Sequence, residues 1–178
     1  NGMKTLEPSI RHRLPGTLGL TNPRYEEQQL FASALTVRLT AVVALIILGN
    51  VIYTLSRDSY DYHWKSQIIA EGYAEGNINW SRWIDHGWFE FIGVVFWLIG
   101  PYIFLIQIVN ALLGGLIAVY AYKISYSVFG NRQEARFVGY LAAWFPSMVY
   151  YQALPLKEAP AGLGILFIVY GLVEIKRR

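Results

Sequence analysis

A chain of 178 residues that is 54% hydrophobic and only 15% charged falls well short of the about 25% charged residues of a soluble domain, which points to an integral membrane protein. Its net charge of +3 is small and divided between segments, so it does not mark a nucleic-acid surface. The absence of cysteine excludes disulfides, thiolate metal sites and cysteine nucleophiles.

Residues 1–33 carry four basic residues and three prolines with no sustained period, and read as a partly irregular cytoplasmic arm. They are polar and lack an apolar core of the kind a cleavable signal needs. Residues 39–56 are 18 consecutive uncharged residues. A crossing helix needs about 20 apolar residues. Extended back to Ala34, with Arg38 snorkelling at the membrane edge, the segment is long enough to be the first span.

Residues 57–101 are polar and aromatic and read as an outer interfacial loop. The stretch after Asp61 predicts a short helix ended by Gly72 or Gly76. The Trp-rich segment that follows suits a membrane interface, and Asn79-Trp80-Ser81 matches the short sequon for glycosylation. Residues 88–100 are 13 residues ending at Gly100-Pro101. At about 1.5 Å per residue they are too short to cross, and are expected to lie flat with Glu90 facing water.

Residues 102–122 are 21 uncharged residues and predict the second span, in which Gln107 and Asn110 seek partners inside the protein and Gly114-Gly115 allows close helix approach. A basic loop is expected over 123–136. Residues 137–156 predict a third span kinked at Pro146, Lys157 to Pro160 a turn, and 159–173 a fourth span. Four spans put 11 of the 15 basic residues with the arm, the 123–136 loop and the tail. The other side holds Asp58, Asp61, Glu71, Glu75, Asp85, Glu90 and Glu158. The positive-inside rule therefore places both termini in the cytoplasm, and sets Asp58 and Glu158, 100 residues apart, on one outer surface. The fold class is all-α: a polytopic membrane protein with four spans and an outer interfacial helical loop.

Asp58 and Asp61 are one helical turn apart. With His63 they suit a hard divalent cation, or one of them suits a general base; the plainer reading is that they solvate a helix end. His86, beside Asp85, suits phosphate, or is simply an interfacial histidine. Lys157-Glu158 reads as a snorkelling turn unless it faces Asp58. The Tyr and Trp residues form first an aromatic belt and second a sugar-stacking surface.

Taken in order, "DSYDYHWKSQIIAEG", "WIDHGWFEFIGVVFWLIGP", "QIVNALLGGLIAVYAYKISYSVFGNRQEAR" and "FPSMVYYQALPLKEA" resemble the N-terminal part of the GT-C glycosyltransferases, in the branch of protein mannosyltransferases and aminoarabinose transferases. The matching residues are Asp58 and Tyr62 in the first outer loop, Phe129, Gly130 and Arg132 at a turn, and Leu156, Lys157 and Glu158 after a proline-containing span. The likeness covers roughly residues 34–175; 1–33 is the arm and 34–178 the membrane module. It implies transfer of a sugar from a polyprenyl-phosphate donor to an acceptor on the outer face of a bacterial inner membrane. Asp58 would be the catalytic base, with Tyr62, His86, Arg82 and Lys157 binding substrate. Asp58, Asp61 and Glu158 would be ligands of a divalent cation, Mg or Mn. The "HGW" at 86–88 departs from the family, which is proline-rich there, and the family fold has around ten or more spans. The other reading is a non-catalytic transmembrane subunit that packs against larger membrane partners through aromatic and glycine-rich faces. A transporter or channel ranks below both, because no charged residue is expected inside the spans.

Overall fold

The computed structural model of the chain describes residues 23–48, 57–77 and 82–177, without the side chains of 23, 57 and 82–86. Among the described residues there are only helices: α1 (Pro23–Ile47), α2 (Arg57–Ala74), α3 (Arg82–Ile99), α4 (Ile103–Phe129), α5 (Arg132–Trp144), α6 (Pro146–Ala153) and α7 (Glu158–Arg177). Three of them, α1 from Arg24, α4 and α7, are long and apolar enough to cross a membrane, and the apolar part of α3 is the short Gly87–Ile99. The protein is thus an all-helical membrane protein with three candidate spans.

Helix α4 is the axis, packed by α1, α5, α6 and α7. Named contacts fix the directions. Glu26 meets Tyr122 while Arg38 lies against Gly114, so α1 runs antiparallel to α4. Gly139 lies on Tyr122, and Asn110 bonds to Leu154 and Leu156, so α5 and α6 return antiparallel along the same helix. Tyr120 packs on Phe167 and Ser127 on Glu174, so α7 runs parallel to α4. The start of α1, the end of α4, the start of α5 and the end of α7 therefore share one end of the bundle. Arg24, Lys123, Arg132, Arg136, Lys176 and Arg177 belong to it.

Several expectations change. The arm expected to be irregular to residue 33 is helical from Pro23, a residue suited to a first helical position because its missing N–H has no partner there. The basic loop over 123–136 is almost wholly helix. Its only break is Gly130, at φ 69°, a left-handed cap that glycine adopts without a Cβ penalty, followed by Asn131, whose side chain accepts from Gln133 N–H. The third span is not one helix: Pro146 divides it into α5 and α6, which are 13 and 8 residues long. The turn before α7 spans 154–157, and Glu158 and Pro160 already belong to the helix.

Arg38 does not snorkel. It is fully buried, and its guanidinium makes four hydrogen bonds: Nε to Gln152 Oε1 (2.6 Å), Nη1 to Ala34 O and Ala143 O (2.9 Å each), and Nη2 to Ala142 O (3.1 Å). The cause lies in the helix break. In a continuous helix the carbonyl of Ala142 would accept from residue 146, but proline has no N–H. Arg38 supplies the missing donors at the C-terminal end of α5, where the helix dipole also favours a cation. Gly114 makes room, since a Cβ there would collide with Arg38 Nε and Gln152 Oε1. The view that the spans contain no charge, used against a transporter, therefore fails at Arg38.

Glu90 is likewise not in water. It is 1% exposed, accepts a hydrogen bond from the Tyr73 hydroxyl of α2, and joins α2 to α3 together with Ser66 Oγ donating to Phe89 O at 3.1 Å.

Removing the Arg38 donors, as in Arg38→Leu, strands the carbonyls of Ala142 and Ala143 and the Gln152 amide oxygen inside the bundle. The expected loss is about 3 kcal/mol or more. It would be read as a lowered thermal unfolding midpoint of the chain in lipid nanodiscs. Gln152→Leu, which removes a single partner, is expected to cost less.

Candidate functional site

The site forms at the end of the bundle opposite the cationic one. Asn110 of α4 is fully buried and donates from Nδ2 to Leu154 O at 2.6 Å and to Leu156 O at 2.8 Å. It thereby holds the turn that leads into Glu158, whose backbone groups are no longer paired within a helix. Trp88 Nε1 approaches Pro155 O at 3.4 Å and ties α3 to the same turn. Leu154 and Leu156 close a buried apolar cluster with Tyr62, Ile92, Phe96 and Ile106.

Tyr62 is the centre of this end. Its ring is buried and stacked on Phe89, with centroids 4.6 Å apart. Burial pushes the phenol pKa up, and the carboxylates of Glu158 and then Asp58 push it further, so Tyr62 remains a neutral donor. Both acids, 100 residues apart in the chain, are thus close enough for their charges to be felt at one phenol.

The remaining expected site residues divide clearly. Asp58 lies in the first turn of α2, exposed, where a helix N-terminus favours a negative charge. Asp61 points elsewhere, to Lys65 Nζ at 3.4 Å in an exposed i,i+4 pair. Lys157, at the end of the turn, and Glu158, the first residue of α7, are exposed. Among the described residues no three His, Asp or Glu side chains gather to hold a metal. The side chains of Arg82, Asp85 and His86 lie outside the described residues, as does the Asn79-Trp80-Ser81 sequon; the backbone of Arg82 and His86 forms the first turns of α3. His63 is partly buried against Phe96, with ring centroids 5.5 Å apart, and its Nδ1 has no partner. Burial pushes its pKa below the usual 6.5, so it is neutral near pH 7 and not poised as a cation.

Sequence reasoning missed the groove beside this site. Between α4, α6 and α7 lies a cavity of about 370 Å³ walled by Ile117, Met148, Tyr151, Ile165 and Leu166. Its polar lining includes Gln152 and Glu158. The signal available in the sequence was Gly162, which leaves the wall of α7 open where a larger side chain would meet Ile117.

The chain matches no protein-family model, and no curated protein or solved structure is significantly similar to it.

Two outcomes follow from this geometry. Asn110→Leu keeps volume but removes both donors to the 154–156 turn. It is expected to cost about 2 kcal/mol and to raise amide hydrogen exchange around Lys157 and Glu158. For His63 the folded pKa lies below the unfolded one, so the unfolded chain binds more protons between the two values. Its contribution to stability is full above about 6.5 and is lost as pH falls through the folded value. The unfolding midpoint should drop on acidification through that window, and His63→Gln should flatten this part of the profile.

Proposed function

We propose that the Asp58–Tyr62–Glu158 end is a group-transfer site at a membrane surface, which takes a sugar from a polyprenyl-phosphate donor and gives it to an acceptor hydroxyl. The observation that carries the reading is Tyr62, a buried phenol acted on by two carboxylates 100 residues apart. The apolar groove with Glu158 in its lining supports it, because a lipid-borne substrate needs a place for its chain beside a polar head.

In this reading Asp58 takes the proton of the acceptor hydroxyl as that oxygen bonds to the anomeric carbon. The bond from that carbon to the phosphate oxygen breaks, and the electron pair leaves with the polyprenyl phosphate. Lys157, exposed on the turn, offsets the charge on the departing phosphate, with Arg82 and His86 as further cationic or hydrogen-bonding groups from the start of α3. Tyr62, its phenol pushed up by burial and by the charges of Glu158 and Asp58, keeps its proton through the reaction. A divalent cation, Mg or Mn, would take Asp58 and Glu158 among its ligands and offset the phosphate charge, and no step here runs through it.

The broken leg α5–α6 is the fourth crossing in this proposal. Together its 21 residues rise about 32 Å, close to the apolar thickness of a bilayer. The helix ends bearing Arg24, Lys123, Arg132, Lys176 and Arg177 then face the cytoplasm, and α2 and α3 form the outer layer of a bacterial inner-membrane protein.

The non-catalytic subunit reading has one observation in its favour: α7 leaves Ile165, Ile168, Leu172 and Ile175 exposed along its length. The glycine face invoked for it does not support it, since Gly114 and Gly115 are covered from within by Arg38, Gln152 and Phe31.

Reconstituted with a lipid-linked sugar donor, Asp58→Asn is expected to lower transfer by roughly 100-fold or more. Transfer at the parent rate would remove Asp58 as base. A parent chain that transfers nothing but co-purifies with larger membrane proteins would favour the subunit.

A further inference from the structure

The cationic end of the bundle carries a second groove, about 480 Å³, between the start of α1 and the end of α4. Its floor and walls are Phe31, Leu116, Val119 and Tyr120, and its mouth is Arg24, Gln28, Lys123 and Glu27. The groove is built by Gly115: a Cβ there would come within 2.8 Å of Phe31 Cε2, so only glycine lets the Phe31 ring lie flat against α4. The apolar part is level with the candidate spans, and the mouth is at the helix ends, where headgroups lie.

The charge at the mouth favours an anion. The helix ends gathered here hold Arg24, Lys123, Arg132, Arg136, Lys176 and Arg177 against Glu26, Glu27, Glu134 and Glu174. Glu26 is buried and already engaged by Tyr122 Oη at 2.9 Å and by Arg136, so it presents no free charge to the groove. Glu27 alone of the acids lines it, paired to Lys123 Nζ at 3.0 Å with both side chains about 30% exposed. Such partly exposed pairs are weak and exchange readily for a better anion. Lys123 also lies over the Tyr120 ring, 5.5 Å from its centroid, which holds the ammonium at the lip. The groove beside α7 has the opposite character, with a carboxylate, Glu158, in its lining.

We propose that the α1–α4 groove binds one anionic phospholipid, its phosphate at Lys123 and Arg24 and one acyl chain along Phe31 and Leu116. The lipid closes the seam between α1 and α4 and competes with Glu27 for Lys123. It is a site for a lipid of the surrounding membrane, separate from the Asp58–Glu158 end.

The test is native mass spectrometry of the full chain released from micelles holding phosphatidylglycerol or phosphatidylcholine of the same acyl chains. One phosphatidylglycerol should be retained in preference to phosphatidylcholine. Lys123→Ala should weaken retention roughly fivefold, and Glu27→Gln should strengthen it by a similar factor. Gly115→Ala, which drives Phe31 into the groove, should abolish retention. Equal retention of the two lipids, or retention indifferent to both Lys123→Ala and Glu27→Gln, overturns the proposal. Both of those residues are partly exposed, so the pair decides the matter even if Gly115→Ala does not fold.

Discussion

The guanidinium of Arg38 is the constraint on which the rest of the fold depends. A cation taken wholly out of water is costly unless every donor finds an acceptor. Here the acceptors are the carbonyls of Ala142 and Ala143 at the break before Pro146, one amide oxygen from beyond it, and the Ala34 carbonyl one turn back on the same helix. Neither half of this arrangement is stable alone. Without Arg38, the end of α5 would present bare carbonyls inside the bundle; without the break, Arg38 would face complete helices with nothing to accept its protons. One side chain thus binds α1 to α5 and α6 and fixes where the return leg bends. The bend in turn sends the chain to Leu154, where Asn110 holds it and aims Glu158.

What the sequence revealed about this arrangement, and what it hid, have separate physical causes. Pro146, Gly114-Gly115 and Asn110 were legible because each breaks a local rule: a missing donor, a missing side chain, a polar amide in an apolar helix. Arg38 was misread because its depth was measured from the start of the uncharged run. The helix begins 15 residues before Arg38, at Pro23, so what looked like an edge lies well inside. Glu90 was misread for a related reason. An acid on a short apolar helix looks solvated until its partner is known, and that partner, Tyr73, sits on another helix. Glu26 escaped attention because the charge count weighed only cations at that end. Its place in the first turn of α1, set against Arg132 and Arg136 at the start of α5, was the signal that two helix starts meet there.

The two ends of the bundle differ in kind, and this difference gives the topology physical content. At one end, charges of both signs are close enough to pair: Glu26 with Arg136 and Arg132, Glu27 with Lys123, Glu174 with Arg177. At the other, Asp58 and Glu158 share the neighbourhood of Tyr62 without a cation among the ion pairs of the described residues. Their charges favour the neutral form of the buried phenol. This contrast supports the proposal of a group-transfer site at that end, although the cationic end holds more charge.

The register between the two ends is carried by one stripe of α4. Asn110, Gly114, Ala118 and Tyr122 recur every four residues and so lie on one face. Each meets the return leg differently: Asn110 bonds the 154–156 turn, Gly114 admits Arg38 and Gln152, Ala118 and Tyr122 seat Gly139 and Leu30, and Tyr122 also bonds Glu26. The stripe runs polar, small, small, polar, and the small positions admit the side chains that cross it. A slip of the leg by one turn would bring a side chain onto Gly114, where there is no room, and take Asn110 from the carbonyls it satisfies. Apolar surfaces alone would tolerate such a slip, since lipid covers any of them equally well. In this chain it is the few buried polar groups, and the glycines that make space for them, that select one arrangement of otherwise interchangeable greasy helices.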